Sequence, residues 1–148
     1  MLIDGKCHCG NIRFELEWPG EAGDMTARAC GCSFCTKHAG VWTAHPQAGL
    51  SVYVADPALV SPYAFATRTA VFQVCARCGV VPLVISDIDA QRYAVVNVNA
   101  FEQLDLSRIV RAGASFDSED AGARLERRQR NWIARVAFAP AATVYAGA

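Results

Sequence analysis

An excess of charge of either sign is missing from this chain. Lys+Arg and Asp+Glu both number 14, and the formal net charge is zero. Without a basic surplus there is no broad electrostatic attraction to nucleic acid or to an acidic membrane, so neither is expected as a partner. No apolar run approaches the ~20 residues needed to span a bilayer. The opening residues, Met-Leu-Ile-Asp-Gly-Lys-Cys, lack the charged region and apolar stretch of a secretion signal, so the expected location is cytoplasmic. Internal repeats, low-complexity tracts and linkers are also missing, and residues 1–148 are expected to form one domain. Charged residues are scarce, at 19% against 53% hydrophobic, which excludes disorder and supplies apolar matter for a core.

Cysteine is present, and its distribution is uneven. All seven cysteines fall in three tight clusters: Cys7-His8-Cys9, Cys30-Gly31-Cys32-Ser33-Phe34-Cys35 and Cys75-Ala76-Arg77-Cys78. Cysteines kept for packing would be scattered, and a disulfide framework needs no such close pairs. In a reducing compartment, paired cysteines favour metal or redox chemistry over structural disulfides. Soft sulfur ligands at these spacings point to a metal, most simply zinc. Two closed tetrahedral sites need eight ligands. If all seven cysteines bind, one site is a thiolate short, and an open position is what usually separates a catalytic zinc from a structural one.

In an extended segment residues i and i+2 share a face, so Cys7 and Cys9 can offer two sulfurs to one ion. A C-x-x-C turn does the same for Cys75 and Cys78. Gly10 and Gly79 follow these pairs and permit the backbone turn that a Cβ would resist. The four together make a saturated, structural site. The long loop it closes costs little extra entropy, which a metal affinity of about 10 kcal/mol or more would offset. Cys30, Cys32 and Cys35 remain, with a fourth position open to water, substrate or a histidine; His38 is the nearest such side chain. Three thiolates leave zinc a net −1, which makes it a poor generator of hydroxide and a better host for an incoming thiol.

The hydrophobic pattern is mostly that of strands. Ile12, Phe14, Leu16 and Trp18 alternate with Arg13, Glu15 and Glu17. Further strands are expected at residues 40–45, 50–54, 93–98 and 133–138, with a short one at 106–111. Residues 70–75 and 79–85 read as hairpin arms around the last cysteine pair, with Pro82 marking an edge or a bulge. Residues 117–131 are the one helix expected, with acids at its start and arginines at its end, as the helix dipole favours. The expected fold is mainly β and antiparallel.

At this point the sequence resembles the glutathione-dependent formaldehyde-activating enzyme family. The resemblance is carried by Gly-Lys-Cys-His-Cys-Gly-Asn-Ile-Arg-Phe-Glu, Ala-Cys-Gly-Cys-Ser-Phe-Cys-Thr-Lys and Val-Cys-Ala-Arg-Cys-Gly, and it spans residues 5 to about 100. It implies antiparallel sheets in a tent-like arrangement around zinc. It implies a structural zinc at Cys7, Cys9, Cys75 and Cys78 and a catalytic zinc at Cys30, Cys32 and Cys35. The implied activity is that of a carbon–sulfur lyase, which joins formaldehyde and glutathione as S-hydroxymethylglutathione or cleaves that adduct.

Two other readings remain open: a zinc-stapled interaction module without chemistry, and dithiol redox chemistry at Cys75/Cys78 or Cys32/Cys35. Other residues have candidate roles. Arginines 124, 127, 128, 130 and 135 can grip substrate carboxylates or form a solvated face. Trp42, Phe34 and Tyr63 can wall a pocket or pack the core. Asn97 and Asn99, on one face of a strand, can form a polar wall or face solvent. His8 is expected at the surface, and His45 as a strand residue.

Overall fold

The structure is a computed structural model and describes residues 1–139. Residues 140–148 of the expected domain lie outside the described residues. The order is β1 (Leu2–Lys6), β2 (Ile12–Glu17), β3 (Thr26–Cys30), α1 (Ser33–His38), β4 (Val41–Thr43), β5 (Gly49–Val54), β6 (Val60–Tyr63), β7 (Val71–Cys75), β8 (Leu83–Ile88), β9 (Gln91–Asn97), β10 (Val110–Ala114), α2 (Ala121–Asn131) and β11 (Arg135–Ala139). The fold is mainly β, as expected. One sheet has the order β1-β2-β5-β11 and the other β10-β3-β4-β9-β8-β7-β6. Neighbouring strands are antiparallel except β3 with β10 and β5 with β11.

The two sheets meet across the larger core. Ile3, Ile12, Phe14, Leu16, Leu50 and Val52 come from the smaller sheet, and Leu83, Ile85, Ala94 and Val96 from the larger. Each large apolar side chain buried here contributes about 1.5–3 kcal/mol. β8 and β9 also bury their other face: Val84, Tyr93 and Val95 join Trp42, Phe72 and Trp132 in a second core. A strand covered on both sides loses its polar alternation, which explains the unbroken apolar run at Ala94–Val96. Residues of this second core, among them Trp42, Phe72, Val84, Val95 and Trp132, also line a cavity.

Several expectations are corrected. α2 begins at Ala121, not at residue 117, because the Asp120 carboxylate accepts the Ala123 N–H at 2.7 Å and caps the helix. Pro82 is neither at an edge nor in a bulge. It is fully buried just before β8, an interior strand, and its carbonyl accepts the Asn97 N–H. The proline on an edge is Pro62, in β6. The short strand expected at 106–111 is a 3₁₀ turn, Leu106–Arg108, followed by β10. β1, β3, β6 and α1 were not anticipated. No helix among the described residues is long and apolar enough to cross a membrane.

Candidate metal centres and the adjoining cavity

Two turns of the same design bring four cysteines together. Cys7 N–H donates to Ile12 O and Gly10 N–H to Cys7 O; likewise Cys75 N–H donates to Val80 O and Gly79 N–H to Cys75 O. Gly10 and Gly79 close these turns at φ +83° and +80°, where a Cβ is strained. One turn joins β1 to β2 and the other leads from β7 towards β8, so the cluster ties one sheet to the other. Its four sulfurs all lie within 4.8 Å of one another. Cys7 and Cys9 sulfurs are 3.7 Å apart, and Cys9 and Cys75 sulfurs 3.5 Å. Four sulfurs held tetrahedrally at about 2.3 Å from zinc sit about 3.8 Å apart, so this donor set fits that ion. The Ile12 N–H donates to the Cys7 sulfur at 3.3 Å. Burial pushes the Cys7 thiol up to about 12. Burial opposes the Cys78 thiolate, but the N–H groups of Cys9 and Val80 and the neighbouring thiols outweigh it and bring Cys78 down to about 6. Uptake of a metal would release the shared protons.

Cys30, Cys32 and Cys35 converge on a second point, again with sulfurs within 4.8 Å of one another. Cys30 ends β3, which β10 holds in register. Cys32 caps α1, its sulfur accepting the Cys35 N–H at 3.3 Å. Cys35 lies in the first turn of α1, and its sulfur accepts the Trp42 indole N–H at 3.3 Å. These donors favour sulfur as an anion and fix its direction. The hydrogen bond between Cys30 and Cys35 pulls Cys30 down to about 5 and pushes Cys35 up. Among the described residues no histidine, carboxylate or further cysteine joins this trio. His38 lies instead against the Phe34 ring, with centroids 4.4 Å apart. All seven cysteines are free thiols.

The second cluster lines a cavity of about 370 Å³, whereas none of the first four cysteines does. Of the aromatics expected to wall it, Trp42 does, while Phe34 and Tyr63 stack on each other at 5.0 Å outside the lining. Arg124, Arg127 and Arg128 line it. Arg130 is solvent-exposed, and Arg135 pairs with Glu17 at 3.2 Å on the surface. Glu119 pairs with Arg127 through two bonds of 2.8 and 3.1 Å, and with Arg124 at 3.7 Å. Arg128 is buried; desolvation lowers its guanidinium to about 10, so it stays charged at neutral pH.

Asn97 and Asn99 form no pocket wall. The 3₁₀ turn Val98–Ala100 breaks the alternation, and Asn97 is buried, not exposed, with its amide on Val81 O at 3.2 Å. Asn99 bonds Ala39 O. His8 is exposed, and the His45 ring packs near Trp18. Among the lining residues that escaped sequence reading are Arg28, Phe65, Phe72, Phe116 and Trp132. Arg28 was recoverable, because two residues before Cys30 in an extended strand places it on the same face as that cysteine.

A model of the family described as glutathione-dependent formaldehyde-activating enzyme matches residues 2–116. Among solved structures, the crystal structure of a Rhodobacter sphaeroides protein is similar with a TM-score of 0.53 and 26% sequence identity, covering 74% of this chain and 99% of that one. No curated protein matches the chain.

Proposed function

From membership of the glutathione-dependent formaldehyde-activating enzyme family, to which this chain belongs, we propose that it is a zinc-dependent carbon–sulfur lyase acting on thiol–aldehyde adducts. The observation that carries this reading is the unequal setting of the two cysteine clusters. Four sulfurs gather between the sheets, and three gather on the wall of a cavity. Cys7, Cys9, Cys75 and Cys78 would hold a structural zinc, and Cys30, Cys32 and Cys35 a catalytic one. Zinc bound by the three would supply a point where an incoming thiol is held as thiolate at neutral pH.

The chain's own residues do the rest. The Trp42 indole and the α1 backbone fix the directions of the Cys35 and Cys32 sulfurs. Trp42, Phe72 and Val95 give the cavity apolar walls that limit water around the reacting carbon. In the condensing direction a carbon–sulfur bond forms, the carbonyl π bond breaks, and the proton lost from sulfur ends on the new hydroxyl. No electrons are gained or lost. Cleavage is the reverse. Glutathione and formaldehyde are the pair this family membership favours. A domain of residues 1–148 in the cytoplasm suits seven unpaired thiols.

The direct assay is NMR exchange spectroscopy of glutathione with formaldehyde. The protein should raise the rate of exchange between free and S-hydroxymethyl forms, and Cys32→Ser should remove the effect. An unchanged exchange rate with zinc-loaded protein would reject this substrate pair.

A further inference from the structure

Among the described residues, three buried side-chain nitrogens have no hydrogen-bond partner: Nε of Arg124, Nε of Arg128 and Nε1 of Trp132. All three are donors, and all three residues line the cavity that holds Cys30, Cys32 and Cys35. Arg124 Nε has Glu119 at 3.7 Å. The other two have nothing comparable. Arg128 and Trp132 are each only 6% exposed, and the guanidinium lies 5.0 Å from the indole ring centre.

The side-chain hydrogen bonds of Arg128 go to neutral groups alone, and Glu119 acts on it only through space. Its Nη1 donates to Thr69 Oγ1 at 2.8 Å and to Ser86 Oγ at 3.2 Å. Ser86 in turn donates to Thr69 O at 2.7 Å, so its oxygen is turned to accept. No carboxylate within salt-bridge distance of Arg128 occurs among the described residues. A buried charge without a counter-charge is costly, and buried donors are normally satisfied. Orphaned donors call for a ligand group that accepts, and a buried cation without a contacting carboxylate favours one that is also an anion. Phe65, Phe72 and Val84 supply apolar wall to the cavity, whose lining also carries Asp117, Arg28, Arg124 and Arg127.

We infer that Arg128 and Trp132 form the receptor for a carboxylate carried by the thiol substrate, with the apolar walls taking the chain between carboxylate and sulfur. The inference rests on the lyase reading for its thiol: formaldehyde is uncharged, so the anion belongs to the sulfur compound. A planar carboxylate offers two oxygens, which a guanidinium and an indole N–H can share. Arg128 and Trp132 both lie beyond residues 2–116, the span that the family model matches. The preference is therefore set by a part of the chain on which the family match is silent.

The test uses zinc-loaded protein and thioethers, whose capped sulfur removes thiolate–metal binding from the comparison. 3-(Methylthio)propionate and its amide are titrated by calorimetry, with tryptophan fluorescence as a second readout. The acid should bind about tenfold or more tighter than the amide, the scale of a hydrogen bond to a charged group. Trp132→Phe keeps an aromatic ring there but loses the N–H together with the fused five-membered ring. It should weaken the acid several-fold and leave the amide unchanged, while the smaller ring in the second core lowers the melting temperature by a few degrees. Arg128→Lys keeps the charge and should retain part of the preference, whereas Arg128→Met should abolish it. Equal binding of acid and amide, binding of neither, or an acid affinity unaffected by Trp132→Phe overturns the receptor. NMR exchange with formaldehyde is then run on 3-mercaptopropionate and 3-mercaptopropanamide. No acceleration for any thiol rejects the lyase while a measured acid preference keeps the receptor. Equal acceleration for both keeps the lyase and rejects the receptor.

Discussion

Cys75 and Cys32 are chemically the same residue in different settings. Cys75 is fully buried at the junction of the sheets, and its sulfur lies 3.5 Å from that of Cys9. Cys32 is half-buried on the cavity wall at the start of α1. Under the zinc reading, Cys75→Ser removes a ligand from the site that staples the fold. Structural zinc sites contribute about 10–16 kcal/mol in small peptides, comparable to a whole domain's stability, so this variant should fail to fold or melt far below the wild type. Cys32→Ser should keep a cooperative melt and lose about one zinc per chain. Metal content and thermal melts of both variants check this; equal destabilisation of the two would overturn the division of roles. Glu119 offers a pH-dependent counterpart. The Arg127 hydrogen bonds, followed by the charges of Arg127 and Arg124, hold its carboxyl below the ordinary 4.5. A depressed folded-state pKa stabilises above the unfolded value, and the contribution is lost as pH falls through the folded one. Glu119→Gln should therefore lower the melting temperature at pH 7, and the gap to wild type should shrink as pH falls below about 4.5. A gap independent of pH would show that Glu119 acts through shape alone.

The strands and turns can be probed at two glycines that differ in kind. Gly79 has a φ of +80° with nothing within 4 Å of an added Cβ. Gly79→Ala should cost about 1–2 kcal/mol through backbone strain alone. Gly5, in β1, has ordinary φ, but an added Cβ would collide with the Phe14 ring. Phe14 is 1% exposed and packs edge-on to Phe101 at 6.1 Å, so it has no room to retreat. Gly5→Val should cost about 1–3 kcal/mol through overpacking, although valine is the better strand former. Denaturant unfolding of both variants checks the prediction, and a neutral Gly5→Val would mean that the ring can move. The same contrast bears on what the sequence made legible. The glycines after Cys9 and Cys78 could be read, because a tight turn after a close cysteine pair needs positive φ. Gly5 could not, because its reason is a ring nine residues away. β2 was legible because one face is buried and the other wet. β1 and β6 were not, since Leu2-Ile3-Asp4-Gly5-Lys6 and Val60-Ser61-Pro62-Tyr63 are short and give little alternation. α1 has six residues, too few to show a helical period, and it is positioned by the Cys32 cap.

The whole molecule divides into a stapled frame and a working face. The four-cysteine cluster joins the sheets, while the three-cysteine cluster sits where β3, α1 and β4 meet the second core. The cysteine groupings could be read from spacing, since one lies in a single short segment and the other in two. The cavity could not, because it is assembled from residues 28 to 132 and its arginines are sorted by partners distant in sequence: Glu119 neutralises Arg127, while Thr69 and Ser86 hold Arg128. This division predicts the order in which metal is lost. Protein purified from zinc-supplemented medium should contain about two ions per chain, one for each cluster. A three-sulfur site on a cavity wall is accessible and one ligand short, so a chelator should strip it first. The four-sulfur site has two fully buried cysteines, Cys7 and Cys75, and should resist until the sheets part. Chelator titration should therefore give two phases, followed with a zinc-sensitive dye and far-ultraviolet circular dichroism. The first releases about one zinc with thiol–aldehyde exchange abolished and the β signal intact; the second releases the other with unfolding. Re-addition of zinc after the first phase should restore exchange without a refolding step. A single release that coincides with unfolding would mean that the two clusters share one structural role, and the working face would lose its separate identity.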